Sequence, residues 1–291
     1  MKLKSIALSI LMACSLSTGV YAEVEDYSKG LEKRATQGNA QAQYDVGQAY
    51  FMGEGVDEDD DIALAWFRKA AAQGHLDAIH AVGNMYYYGY SVDENNPEAV
   101  KWFTQAANRG HLTSQFVLGK LYEDGDTGVK ADPKKSAYWL LKAADGGMSE
   151  AQFYIGYNYE TGVSVEKDLK KAMHYYQLAA KQKNPDALNN IGVFYEDGEG
   201  VAQNYTEALK YYKAAAELDN EVAVSNIASL YENGYGVKKD FKMAAQYYER
   251  AAELGDESAM KSLADLYEQG GFGLKKDLRK AKSYMDAYMA N

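Results

Sequence analysis

The residue patterns that could support nucleophilic catalysis reduce to one pair. Ser258 and Lys261 have the Ser-x-x-Lys spacing, in which a lysine helps to activate a serine hydroxyl. The companion motifs Ser-Asp-Asn and Lys-Thr-Gly occur nowhere in the chain, and Ala259 occupies a repeated apolar position. One such pair is expected by chance in a chain with many serines and lysines. The sequence therefore predicts no catalytic site and a protein that is not an enzyme.

The histidines do not have the spacing of a metal site. Zinc on a helix face requires two histidines at i and i+4, and no pair here satisfies this. The four histidines are His75, His80, His111 and His174. His75 and His111 occupy equivalent repeat positions, and we expect structural or surface roles for all four.

The acidic run at residues 57–61 has the charge of a calcium loop but not its pattern. An EF-hand loop requires glycine at its sixth position and glutamate at its twelfth, where this chain has Ile62 and Arg68. We expect a helix N-cap at Asp59 followed by first-turn acids that favour the helix dipole. The sequence predicts no bound metal and no cofactor.

The elements that carry these residues repeat every 36 or 37 residues. A tyrosine recurs at Tyr50, Tyr86, Tyr122, Tyr159, Tyr195, Tyr231 and Tyr267. A glycine follows three residues later at Gly53, Gly89, Gly125, Gly162, Gly198, Gly234 and Gly270. A fixed period of this length indicates stacked structural repeats.

Each repeat has the pattern of two helices. In the first helix, Ala42, Val46 and Tyr50 share one face. A column of small residues there predicts close approach of a neighbouring helix: Gly47, Gly83, Gly119, Gly156, Gly192, Ala228 and Ala264. The glycine at 53 and its equivalents are typical of a left-handed helix end.

The second helix of each repeat starts at an Asp or Asn, which is typical N-cap chemistry. These residues are Asp59, Asn95, Asp132, Asp168, Asn204, Asp240 and Asp277. A large aromatic residue follows, which we expect in the core: Trp66, Trp102, Trp139, Tyr175, Tyr211, Tyr247 and Tyr284. Nothing indicates a strand, so the predicted fold class is all-α, with stacked helical hairpins in one continuous array.

This pattern resembles the Sel-one-like repeat, a relative of the tetratricopeptide repeat. The stretch 42–74 shows it nearly complete, with Ala42, Gly47, Tyr50, Gly53, Gly55, Val56, Trp66, Ala70, Ala71 and Gly74. The resemblance implies an α/α solenoid coiled as a right-handed superhelix. We expect an N-terminal capping helix within residues 23–39 and a solenoid over 40–291. Repeats one to seven then span about 40–75, 76–111, 112–148, 149–184, 185–220, 221–256 and 257–291.

The N-terminal residues predict export. Lys2 and Lys4 precede an apolar run, and small residues end at Ala22, as in a secretory signal peptide spanning residues 1–22. We expect cleavage after Ala22 and a periplasmic location. Lipidation at Cys14, or release from the cell, is the alternative.

Composition excludes two classes of partner. Without Lys2 and Lys4 the chain has 29 basic and 42 acidic residues, a net charge of −13. This balance disfavours nucleic acid and anionic membranes. Apart from the signal, no apolar stretch is long enough to span a bilayer. The oligomeric state stays open, with a monomer compatible with the pattern.

The candidate binding residues are those that vary between repeats on the first helices. By analogy with related solenoids, these positions line a concave face. In repeats one to four they are aromatic or polar, a composition typical of interaction surfaces. They are Tyr44, Gln48, Phe51, His80, Asn84, Tyr87, Phe116, Lys120, Phe153 and Tyr157. The alternative is that these aromatic residues only pack against one another.

The predicted function is therefore a non-catalytic scaffold or adaptor that binds a protein or peptide in the bacterial cell envelope. Some cysteine-rich secreted relatives of the resembled family are described as β-lactamase-like, so an envelope hydrolase is one alternative. Those relatives carry paired cysteines, whereas Cys14 is the single cysteine here. A secreted virulence or host-interaction factor is the other alternative.

Overall fold

A computed structural model describes residues 27–290. The predicted signal peptide, its cleavage after Ala22 and the alternative at Cys14 lie outside the described residues. Within residues 27–290 the chain forms fifteen helices and no strand longer than an isolated bridge. In chain order the helices are α1 (Lys29–Thr36), α2 (Ala40–Met52), α3 (Asp60–Ala72), α4 (Leu76–Tyr88), α5 (Asn96–Ala107), α6 (Leu112–Asp124), α7 (Pro133–Asp145), α8 (Ser149–Thr161), α9 (Leu169–Lys181), α10 (Pro185–Asp197), α11 (Tyr205–Ala216), α12 (Glu221–Asn233), α13 (Phe241–Leu254), α14 (Glu257–Gln269) and α15 (Leu278–Ala290).

The fold is an all-α repeat solenoid, as the sequence predicts. Each even-numbered helix is the first helix of a repeat, and the odd-numbered helix that follows is its second. Contacts divide the chain into two compact units, with the boundary inside repeat four. The described part of unit 1 comprises residues 27–155 and 163–166, and that of unit 2 comprises residues 156–162 and 167–290.

The predicted N-caps of the second helices are confirmed. Asp59 Oδ1 accepts the backbone N–H of Ile62 at 2.9 Å, and the equivalent Asp or Asn caps its helix in the other six repeats. The N–H of Asp59 also donates to the carbonyl of Tyr50 at 2.9 Å, a bond that every repeat reproduces. The repeated tyrosine and the repeated cap are thus joined through the backbone, which fixes the loop between them.

The loop has one more residue in repeats three and seven. Gly53 ends α2 in the left-handed region with φ +69° and ψ 29°, whereas Gly125 ends α6 with φ +71° and ψ 170°. The extra residue is held in a tight turn, because Asp126 and Val129 exchange two backbone hydrogen bonds of 2.8 Å. This turn explains how a 37-residue repeat keeps the same helix pairing.

In repeats one to six, a buried core position of the second helix lies one residue beyond the predicted aromatic column. At this position Phe67, Phe103, Leu140, Tyr176 and Tyr212 are fully buried. Each one covers the glycine of the first helix in its own repeat. A Cβ added at Gly83 would lie 2.5 Å from the Phe103 ring, so the small column accommodates this side chain.

The predicted aromatic column instead flanks the core, which corrects the sequence expectation. Trp66 and Trp102 are half-buried, although Trp139 is buried with 7% exposure. In repeat five, Tyr211 stacks on the repeated tyrosine Tyr195, with ring centroids 5.7 Å apart and planes 12° apart. The same pair of columns stacks in repeats four to seven, so there the two aromatic columns form a stacked layer beside the core.

Candidate functional site

The candidate site is the surface of the first helices in unit 1, called here the first-helix face. It comprises Tyr44, Gln48, Phe51, His80, Asn84, Tyr87, Phe116, Lys120 and Phe153. Because α2, α4 and α6 occupy equivalent places in consecutive repeats, side chains at one repeat position form a column. The tenth predicted residue, Tyr157, belongs to unit 2 and is 46% exposed.

Tyr44 is held by neighbours on three sides. Its ring stacks on His75 with centroids 4.8 Å apart and planes 20° apart, and lies 5.7 Å from the buried Phe67 ring. Its hydroxyl accepts a 3.0 Å hydrogen bond from Gln48 Nε2. Burial raises the pKa of Tyr44, and the carboxylates of Asp77 and Asp45 raise it further. The edge of this ring is therefore a fixed, neutral feature of the face.

His75 is the N-cap of α4, a role that the sequence analysis did not assign. Its Nδ1 accepts the backbone N–H of Ala78 at 3.3 Å, which requires Nδ1 to carry no proton. Its Nε2 then donates to Gln41 Oε1 in the preceding repeat at 2.9 Å. Burial lowers the pKa of His75, although the nearby Asp77 and Asp45 carboxylates oppose that shift.

His111 repeats this arrangement at the start of α6. Its Nδ1 accepts the N–H of Ser114 at 3.2 Å, and its Nε2 lies 3.1 Å from Asp77 Oδ1. Sequence reasoning missed both caps, although their signal was present. The same position in repeats one, five and six carries Asn39, Asn184 and Asn220, which also cap their helices.

His80 lies deeper than a face residue was expected to lie. It is 9% exposed, its Nδ1 is 2.9 Å from Ser114 Oγ, and its ring is 4.9 Å from that of His111. Burial lowers the pKa of His80 to about 3, with His111 adding to the shift and Asp77 opposing it. His80 is therefore a neutral residue between repeats, and little of its ring is open to a partner.

Asp77, His111 and Ser114 have the order of a catalytic triad, but the geometry does not support catalysis. Ser114 is fully buried with 0% exposure, so no substrate reaches its hydroxyl. His111 Nδ1, 2.8 Å from Ser114 Oγ, is already engaged by the backbone N–H of the same residue. The arrangement is a helix cap that links repeats two and three.

Repeats three and four contribute a second aromatic group. The Phe116 and Tyr154 rings are 5.3 Å apart, and Phe153 meets Tyr154 edge-on at 5.5 Å. Lys120 Nζ lies 4.7 Å above the Tyr154 ring and also pairs with Glu123. Tyr154 was absent from the predicted residues, since it varies in the column next to the one chosen. It is half-buried and joins the others into one surface.

In repeats four to six, several of the equivalent positions in unit 2 form internal hydrogen bonds. Asn226 Nδ2 donates to Asn189 Oδ1 at 2.9 Å, and Asn190 Nδ2 donates to the Tyr176 hydroxyl at 3.1 Å. Three of the glutamates that replace Phe51 and Tyr87 also have partners, because buried tyrosines donate to Glu160, Glu196 and Glu232. The first helices of repeats four to six thus use many of their polar groups for packing.

The remaining sequence motifs form no site in the described residues. The Ser258 hydroxyl donates to Asp256, the N-cap of α14, at 2.6 Å, and no hydrogen bond joins Ser258 to Lys261 within residues 27–290. No cluster of three or more metal-ligating side chains occurs in that range. None of its helices has the length and apolar character needed to cross a bilayer.

Comparison with known families identifies the repeat. A model of the Sel1 repeat matches residues 40–75, 76–111, 112–148, 149–184, 185–220, 222–256 and 258–286. The chain belongs to the Sel1 repeat family. Sel1 repeats are typical of scaffolds for protein–protein interaction, and the fold is generally non-catalytic. No curated protein is significantly similar to this Sel1 repeat chain.

Two solved structures are similar in both sequence and fold. One is c5321, described as a protective antigen of uropathogenic Escherichia coli with an SLR fold, at 29% identity and a TM-score of 0.72. That match covers 91% of this chain and 64% of the antigen, so the chain spans less than two thirds of its length. The other is a Sel1 repeat protein from Oxalobacter formigenes, at 28% identity and a TM-score of 0.73, covering 84% of this chain and 96% of that one.

Proposed function

We propose that this Sel1 repeat protein is a non-catalytic adaptor that holds a segment of a partner protein on the first-helix face of unit 1. The observation that carries the proposal is the contrast between the two units. Half-buried rings and amides predominate in the variable columns of unit 1, whereas repeats five and six of unit 2 carry mainly asparagine, serine and glutamate there, several of which hydrogen-bond within the unit. Rings with polar neighbours are typical of residues that dominate binding energy at interfaces.

The proposed location is the bacterial cell envelope. Support comes from the predicted signal peptide over residues 1–22, with periplasmic release after Ala22 or anchoring at Cys14. An adaptor there would bring envelope proteins together, perform no chemistry itself and require no cofactor.

The test is affinity capture from an envelope extract with the double variant Phe116→Ser and Phe153→Ser. Both rings contact Tyr154 at the surface of the face, so their loss should abolish capture while circular dichroism stays unchanged. Tyr44 is unsuitable, because it packs on His75 and Phe67. The control is Tyr138→Ser on α7, which removes a ring that is 50% exposed. Capture that survives the double variant would contradict the proposal.

A secreted host-interaction factor is the second candidate function, favoured by one observation. The similar E. coli protein is described as a protective antigen, which supports contact with a host. Fractionation of the producing cells separates the two candidates, since an envelope adaptor stays with the periplasm or outer membrane. Recovery of the mature chain from the medium alone would favour the host-interaction factor.

An envelope hydrolase gains no support from Ser258, whose hydroxyl is bonded to the cap of its own helix. We expect no hydrolysis of a chromogenic β-lactam. Turnover that disappears in Ser258→Ala would restore the hydrolase alternative.

A further inference from the structure

Four aromatic residues form a continuous surface where α2 and α4 end, called here the aromatic patch. It consists of Phe51, Tyr87, Tyr88 and Tyr90, all half-buried. Tyr90 lies 5.3 Å from Phe51 and 5.6 Å from Tyr88, and Tyr88 meets Tyr87 edge-on at 4.8 Å. The rings contact one another in series, so their faces form a fixed surface.

The aromatic patch is anchored from below. Phe51 and Tyr87 each lie 6.5 Å from the fully buried Phe67 and Phe103 of their own repeats. Such anchoring reduces the side-chain entropy that a partner would have to remove on binding. The repeated glutamate found here in repeats three to seven is absent from repeats one and two, which makes the patch a special feature of these two repeats.

Carboxylates surround the aromatic patch. Asp126 Oδ2 accepts a 3.0 Å hydrogen bond from the Tyr87 hydroxyl, and Asp61 bonds Ser91, the residue after Tyr90. Burial raises the pKa of Tyr87, and Asp126 and then Glu94 raise it further, as expected beside negative charge. The C-terminal ends of α2 and α4 add the negative ends of two helix dipoles.

Most of the net charge of the chain comes from the part of the sequence that carries this patch. Residues 35–100 contain eleven acidic residues and two basic ones, Arg68 and Lys69, a net charge of −9. The complete chain has a net charge of −11, so the other residues together contribute −2. A local excess of this size steers cationic partners and repels acidic ones.

We infer that the aromatic patch docks a basic segment of the partner protein, with lysine or arginine side chains over the rings and against the surrounding carboxylates. This inference rests on the proposed function and specifies the chemistry of its partner. A cation gains from the negative face of an aromatic ring, and more when water is excluded. Arginine fits best, since its planar guanidinium stacks on a ring and donates to a carboxylate at once.

A defined peptide tests the inference on the full mature chain. The probe is a fluorescein-labelled twelve-residue peptide that alternates arginine and leucine, measured by anisotropy in moderate salt. A peptide with glutamate in place of arginine is the control ligand. We expect saturable binding of the arginine peptide, weaker binding at higher salt, and no binding of the glutamate peptide.

The test variant replaces three exposed carboxylates with their amides, Asp61→Asn, Glu94→Gln and Asp126→Asn, which keeps their hydrogen-bonding oxygens. We expect affinity to fall at least tenfold, and Tyr88→Leu to lower it about fivefold. The matched control neutralises three exposed carboxylates of unit 2: Asp197→Asn, Glu199→Gln and Glu217→Gln. Equal losses in test and control variants would overturn the inference, because binding would then follow net charge alone.

A second copy of the chain is the rival occupant, since two loops of unit 2 carry paired lysines. These are Lys238, Lys239, Lys275 and Lys276. Sedimentation would test this rival. A dimer of the wild-type chain that is lost both in the triple amide variant and when these lysines are replaced with glutamine would overturn the basic-segment inference. Capture of the partner from an envelope extract separates the inference from the proposed function. If the double variant Phe116→Ser and Phe153→Ser loses capture but the triple amide variant keeps it, the inference is overturned and the proposed function is left intact.

Discussion

The phenol of Tyr212 donates a 2.6 Å hydrogen bond to Glu196 Oε2, joining the second helix of repeat five to the end of its first helix. Tyr176 and Tyr248 make the same bond to Glu160 and Glu232 in repeats four and six. The first two repeats have phenylalanine at the buried position, and their first helices end in aromatic residues instead. In repeats four to six, the glutamate of this column is therefore explained by packing.

Removing the hydroxyl of Tyr212 should show how much this hydrogen bond stabilises the folded chain. Tyr212→Phe leaves the half-buried Glu196 without its donor, so we expect a loss of about 1–2 kcal/mol in the free energy of unfolding. Urea denaturation of the full chain measures the loss. Glu196→Gln keeps an acceptor and should cost less, and an equal or larger loss in that variant would contradict the assignment.

The small column of the first helices should not tolerate a methyl group. In Gly83→Ala, the new Cβ would meet the Phe103 ring at 2.5 Å, and overpacking of this kind costs about 1–3 kcal/mol. Thermal unfolding followed by circular dichroism measures the change. Gly30→Ala on the exposed face of α1 is the control, because its nearest neighbour is 3.6 Å away and alanine favours the helix. A stabilised Gly83→Ala variant would show that the core is looser than described.

Lys183 occupies a backbone conformation that other repeats give to glycine. Its φ is +62°, at the position where Gly74 and Gly110 follow their second helices with φ of +84° and +91°. A non-glycine residue pays about 1 kcal/mol for this conformation. Lys183→Gly should therefore stabilise the chain by up to about 1 kcal/mol in urea denaturation, whereas Lys183→Ala should have little effect. A lower free energy of unfolding in Lys183→Gly would contradict backbone strain at Lys183.

Lowering the pH should reduce the free energy of unfolding, because His80 lies at the contact between repeats two and three. Because the folded pKa of His80 is about 3, below the unfolded value of about 6.5, its contribution is complete above pH 6.5 and declines as the pH falls toward 3. Between pH 7 and pH 5 we expect a loss of about 2 kcal/mol, at about 1.4 kcal/mol per pH unit. Denaturation at both pH values measures the loss.

The variant His80→Asn should remove most of this pH dependence, because Asn189 already occupies the same column in repeat five. His174→Asn, on the exposed surface of α9, should leave it unchanged. Identical pH profiles for His80→Asn and the wild type would assign the effect to other groups.

The sequence predicted the helix pairs and their caps but placed the core one residue too early. Two adjacent columns, at Trp102 and Phe103, are both large and aromatic, and helical periodicity does not distinguish neighbours at the edge of one face. The contact with Gly83 identifies Phe103 as the core residue, since the glycine lies beneath the Phe103 ring. That contact requires the relative rotation of two helices, which a single sequence does not contain.

A pair of truncations tests this correction. Phe103→Ala empties a fully buried site and should cost about 3–5 kcal/mol, whereas Trp102→Ala removes a half-buried ring and should cost less. Equilibrium denaturation ranks the two variants. A larger loss in Trp102→Ala would return the core to the position expected from the sequence.

The sequence shows which positions on the first helices vary between repeats, but it does not show how deeply each of those side chains is buried. Variation between repeats selected Phe116 and Phe153, which lie half-buried on the face. The same criterion selected His80, although His80 is buried. The criterion did not detect this burial, because the partners that bury His80 are His111 and Ser114 of the next repeat. Contacts between repeats depend on how one hairpin stacks on another, so the column pattern alone does not reveal them.

Hydrogen–deuterium exchange of the full chain, with and without its captured partner, would locate the binding surface. We expect added protection in peptides that cover α2, α4 and α6, where the first-helix face lies, and unchanged exchange in α12 and α14. Protection confined to α12 and α14, or to the second helices, would contradict binding on the first-helix face of unit 1.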